Sequence, residues 1–126
     1  MTAPHETAYP RLKQDPSARE LEQHYTPSVD ELAFVHALSK QPSIRLAVML
    51  HLKTLPRRGQ FGALRDIPER IVRHVADAMG YRRKFTVKDL DDYDASRMKR
   101  EHIAQIRRYL NVRPLGETGR RWLQTV

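Results

Sequence analysis

The sequence predicts an all-α fold, a compact bundle of five to seven short helices. Three observations lead there. Helix-start signals recur: Ser17 and Glu20, Ser28 and Glu31, and Thr86 and Asp89 each stand three residues apart, the spacing at which a hydroxyl and a carboxylate cap each other's backbone N–H. Apolar residues return at the helical period, and no segment alternates polar with apolar as a half-buried strand does. Between residues 93 and 113, finally, that same period separates an apolar seam from a cluster of arginines.

The elements follow in order. Asp15-Pro16-Ser17 opens a first helix to about residue 24, because proline is tolerated in a first turn. Thr26-Pro27-Ser28 opens a second, with Leu32, Phe34, Val35 and Leu38 on its buried side; residues 39–42 interrupt it. A third, over about residues 43–55, carries Leu46, Met49, Leu50 and Leu52 around much of its circumference, as expected of a central core helix. Pro56 then starts a loop to Gly62 with Arg57 and Arg58 at its tip. The fourth helix begins near Pro68, turns Ile71, Val72, Val75 and Met79 inward and Arg70 and Arg73 outward, and ends at Gly80, which suits a left-handed cap. Thr86 opens a short fifth helix through Leu90, Asp94 or Ser96 caps a long sixth over about residues 95–111, and Thr118 opens a last one carrying Trp122 and Leu123. Residues 1–14 form a flexible N-terminal segment, and residues 15–126 a helical domain open to a further division into about 15–62 and 63–126.

Charge says more by its distribution than by its total of +8. Residues 1–40 hold four basic and six acidic side chains, whereas residues 41–126 hold nineteen and nine. A positive field confined to the C-terminal two-thirds, and made mostly of arginine, favours a polyanion, and nucleic acid over an acidic membrane surface. The cysteine count is zero, which removes disulfides and zinc fingers and allows a cytoplasmic location. Residues 1–9 lack the basic start and apolar run of a secretory signal, and the longest apolar run, residues 46–50, is far too short to span a membrane.

On the sixth helix Ile103, Ile106 and Leu110 share one side, with Met98, His102 and Tyr109 at its margin; Arg97, Arg100, Arg107 and Arg108 gather opposite, interrupted only by Glu101. These four arginines are the first candidates for contacting DNA, Arg97 and Arg100 being placed to reach guanine O6 and N7. Arg57, Arg58, Arg82, Arg83 and Lys84 come second, as clamps on the phosphate backbone. Helix capping and dipole compensation account for Asp89, Asp91, Asp92 and Asp94 without a metal. Packing accounts for His51, His74 and His102, and for Tyr81, Tyr93, Tyr109 and Trp122. Neither a phosphate-cradling glycine loop nor an activated serine is present, so the reading is of a non-catalytic domain without cofactor or metal.

At these residues the chain resembles the N-terminal region of Tn3-family transposases, from about residue 17 to 122. The likeness is carried by Tyr93, Ser96-Arg97, His102, Ile106-Arg107, Leu110 and Asn111-Val112-Arg113, by Arg45-Leu46 with Leu50, Leu52, Gly59 and Phe61 upstream, and by Ile67-Pro68 with Val72, Val75-Ala76 and Gly80. Ala47 and Asn111 stand where the family commonly has glycine. A helix, a tight connection and then a basic helix after an acidic connector is compatible with a helix-turn-helix-like arrangement; the resemblance implies sequence-specific binding of double-stranded DNA at the terminal inverted repeats of a transposon, and partners that include a second copy or the full-length transposase. It also implies that the family's carboxylate-bearing catalytic core lies downstream of these residues, in an excised domain's parent or an intact gene. The competing expectation, from charge alone, is a helical protein-interaction module whose basic face meets an acidic partner.

Overall fold

The structure, a computed structural model, describes residues 12, 14–59, 61–81 and 85–112. Among them it is all-α: α1 (Ala18–Tyr25), α2 (Val29–Leu38), α3 (Pro42–Arg58), a 3₁₀ turn (Leu64–Asp66), α4 (Glu69–Met79), α5 (Val87–Asp94) and α6 (Arg97–Val112). The chain divides into two compact units, residues 1–95 and 96–126. The expected last helix around Trp122 lies outside the described residues.

Three reciprocal capping boxes set the starts of α1, α2 and α5, through Ser17 with Glu20, Ser28 with Glu31 and Thr86 with Asp89. In each, the hydroxyl accepts from the third residue's N–H at 3.1 Å, while that residue's carboxylate accepts from the capping N–H at 2.8 Å. Two orphan donors are satisfied at once, so local sequence alone fixes these boundaries.

Within the first unit α3 is the hub, touching α1, α2, α4 and α5. Nine of its 17 residues are buried, Leu46 to Leu50 without interruption. Leu21 and Tyr25 of α1, Val35 of α2, Leu64 of the 3₁₀ turn, Ile71 and Val75 of α4, and Leu90 and Tyr93 of α5 join it in the core. The expected inward faces of α2 and α4 are narrower than their apolar residues suggest: Phe34, Val72 and Met79 do not reach the fully buried core that Val35, Ile71 and Val75 occupy. Beside α3, Lys53 Nζ donates to both oxygens of the buried Glu31 carboxylate, at 2.9 and 3.2 Å.

Two expectations need correction. Pro56 does not end α3; the helix continues to Arg58 and stops at Gly59, whose φ of 77° makes a left-handed cap with its N–H on the Leu55 carbonyl. Proline costs the helix one donor and a crowded carbonyl a turn back, but so near the end few bonds follow to be disrupted. The fifth helix also runs past Leu90, to Asp94. The Asp94 carboxylate accepts from the Leu64 backbone N–H at 2.6 Å and from His51 Nε2 at 3.2 Å, tying the 3₁₀ turn to α3. Gly80, with φ 77°, closes α4 as the sequence requires. Among the described residues no helix is long and apolar enough to cross a membrane.

Candidate nucleic-acid interface

The second unit is described through α6, 16 residues or about 24 Å of helix. Its described side chains sort by exposure as the helical repeat demands. His102 and Ile106 are buried, Ile103, Tyr109 and Leu110 half-buried, and Arg97, Arg100, Glu101, Ala104, Arg107, Arg108 and Asn111 exposed. The buried line thus runs through His102, which the helical projection sets at the margin, and passes to one side of Ile103 and Leu110. Burial lowers the His102 imidazole below its ordinary 6.5, with Glu101 opposing; a neutral imidazole is the form a dry site favours.

At about 100° per residue the four arginines fall within an arc of about 100° and stretch along about 16 Å of the axis. Glu101, the one acid of α6, falls just beside that arc. Among the described residues no carboxylate pairs with Arg97, Arg100 or Arg108. Guanidinium groups left without internal partners keep their full complement of donors for an external acceptor.

The second tier of candidates is distributed differently. Arg57 and Arg58 belong to the last turn of α3, in the first unit, rather than to a loop tip. Cations there offset the partial negative charge of the exposed carbonyls, a structural role not expected of them from the sequence. Arg57 donates to His24 Nδ1 at 3.3 Å, and its charge opposes the effect of burial, which raises the Tyr25 phenol above 10.0. Arg58 folds back in a long hydrogen bond to the Ala63 carbonyl, 3.5 Å. Its guanidinium occupies the space a Cβ on Gly62 would need. Arg82, Arg83 and Lys84 lie outside the described residues.

Compared with known families, the chain matches the model of a domain of unknown function, DUF4158, over residues 1–126. It belongs to that family. No curated protein and no solved structure matches it.

Among the described residues the other constellations of this DUF4158 chain are taken up in internal contacts. Of the four clustered aspartates only Asp89 is a helix cap; Asp92 accepts from Lys88 Nζ at 2.9 Å, Asp91 pairs with Arg65 at 3.4 Å, and Asp94 makes the tie described above. Among the described residues no group of three ligating side chains could hold a metal ion. His51 lies between Asp94 and the rings of Phe61 and Tyr93, and His74 shares a 2.7 Å hydrogen bond with Thr26 Oγ1. Tyr81 accepts from Arg45 Nη1 at 3.1 Å, and burial raises the Tyr93 phenol far above its usual range, with the Asp94 charge adding to it. A cleft of about 1000 Å³, lined by α4, α5 and the 3₁₀ turn, has almost no trace in the sequence. Its only signal there is Val87, an apolar residue at the first position of a helix, left 69% exposed.

Proposed function

We propose that the chain is a non-catalytic domain that binds double-stranded DNA in a sequence-specific manner, with α6 as the element entering the major groove. The observation that carries this reading is the exposed arc of Arg97, Arg100, Arg107 and Arg108 on one helix. A duplex presents a phosphate about every 1.7 Å along its axis, so a stripe about 16 Å long faces many acceptors at once. Helix α5, a two-residue connection and α6 follow in the order of a helix-turn-helix, whose second helix reads base edges. Arg97 and Arg100, in the first turn of α6, are assigned to bases, and Arg107 and Arg108 to phosphates. Arg57 and Arg58 act as secondary phosphate ligands if they leave their present partners.

The resemblance to Tn3-family transposases supplies the target, the terminal inverted repeats of a transposon, with the catalytic steps performed elsewhere. A mobility shift titrated with salt, on duplexes with and without such a repeat, tests the reading. Binding should prefer the repeat and weaken steeply with salt. Replacing Arg107 and Arg108 by alanine should reduce the logarithmic salt slope by about 0.9 for each phosphate no longer neutralised. Substituting Arg100 should cost about 1–3 kcal/mol on the repeat and little on random sequence. A slope unmoved by the double variant, or equal affinity for both duplexes, rejects the assignment; retention of an acidic protein but not of DNA would replace it by the protein-interaction module.

A further inference from the structure

We infer that Ala104 is a specificity-determining residue, its methyl group set against the C5-methyl of a thymine; the inference rests on α6 being the helix that enters the major groove. Around the α6 axis, at about 100° per residue, Arg97 and Arg100 stand about 30° to either side of the midline of the arginine arc, and Arg107 and Arg108 about 50° to either side. Ala104 stands about 10° from that midline. Along the axis it is central as well, about 6 Å beyond Arg100 and about 4.5–6 Å short of Arg107 and Arg108. Asn111 shares the midline, but about 10 Å further on, at the end of the helix. The middle of the arginine stripe is therefore an exposed methyl group.

An α-helix with its side chains is about 10–12 Å across and the major groove about 12 Å wide, so a helix descends furthest where its leading line is short. Alanine in the leading position lets the backbone approach the base edges, while Arg107 and Arg108, diverging by about 100°, extend toward the phosphates on opposite walls. A methyl group has no hydrogen-bonding atom with which to read a pattern of donors and acceptors. Held against a polar base edge, it would remove water from that edge and replace none of its hydrogen bonds. The one apolar group that an unmodified base pair shows in the major groove is the thymine C5-methyl, which alanine contacts favourably. The base pair opposite Ala104 is accordingly one that presents thymine, next to the bases assigned to Arg97 and Arg100. Water is the alternative neighbour, because alanine is the strongest helix former and suits a solvated face.

The experiment separates the two. The full chain selects its preferred duplex from a library of random duplexes, and each thymine of that duplex is then replaced singly by uracil, which removes the methyl group and nothing else. Uracil at one thymine should lower affinity about fourfold, the effect of one buried methyl group. Ala104→Gly should bind the thymine and uracil duplexes alike. Since glycine also weakens a helix interior, Ala104→Gln serves as a second variant that keeps helix propensity. Its longer side chain should hold the helix off the base edges, lowering affinity for the selected duplex at least about tenfold and removing the uracil effect, with circular dichroism unchanged. The role of Ala104 is overturned if no thymine responds to loss of its methyl group, or if the uracil effect keeps its full size in both variants. It is equally overturned if Ala104→Gln binds the selected duplex as tightly as the unsubstituted chain. A selected sequence with salt-dependent binding but no uracil effect rejects Ala104 alone, whereas failure to select any sequence rejects the DNA reading along with it.

Discussion

α3 and α6 are nearly equal in length, 17 and 16 residues, and opposite in what they give up to the fold. α3 surrenders nine side chains to the interior, among them Leu46, Met49, Leu50 and Leu52. Among its described side chains α6 buries only His102 and Ile106, and exposes four arginines on one arc. A helix packed on most of its circumference holds the unit together and has no face left for a ligand; a helix buried along one narrow line keeps a whole side for recognition. The two arginines at the end of α3 fit this contrast, since both are drawn into local interactions, with His24 and with the Ala63 carbonyl.

The contrast predicts a graded series of effects. Leu50→Ala in α3 empties fully buried volume and should lower unfolding free energy by about 2–5 kcal/mol in urea titration; a decrease below about 1 kcal/mol would mean that α3 is not the hub. Asp94→Ala strips the acceptor from the Leu64 N–H and from His51 Nε2, and should cost about 1–3 kcal/mol by the same measurement. Gly80→Ala forces a side chain into φ 77° and should cost about 1–2 kcal/mol, although no other group approaches the added carbon. That outcome would separate backbone strain from steric packing.

A pH titration probes the buried line of α6. His102 is depressed below 6.5 by burial, so between its folded and unfolded values the unfolded chain binds more protons. Its contribution is intact above 6.5 and disappears as pH falls through the lower, folded value. His102→Asn should flatten that decline relative to the unsubstituted chain; identical slopes would remove the histidine from the account. The smallest effect belongs to the exposed arc. Arg100→Ala with Arg108→Ala should change stability by no more than about 0.5 kcal/mol while weakening DNA binding, and a cooperative loss of structure would show that the arc serves the fold instead.

Sequence by itself determined what depends on neighbours along the chain. The starts of α1, α2 and α5 were legible because a capping box is completed within a single helical turn; the end of α4 was legible because a left-handed cap favours glycine. The core role of α3 and the arginine arc of α6 were equally legible, since both follow from helical period and residue type. Tertiary structure alone decided what depends on distant residues. It carried α3 two residues past Pro56 to the left-handed cap at Gly59, near enough to the helix end that the proline disrupts few bonds, and it spent Asp94 on His51 and Leu64, 43 and 30 residues away. It also made His102 part of the buried line and opened the cleft beside Val87. The sequence set His102 only at the margin of the apolar seam and marked the cleft only by Val87, because burial is a property of the space between elements, and a period along one helix cannot say which of its flanks will be covered.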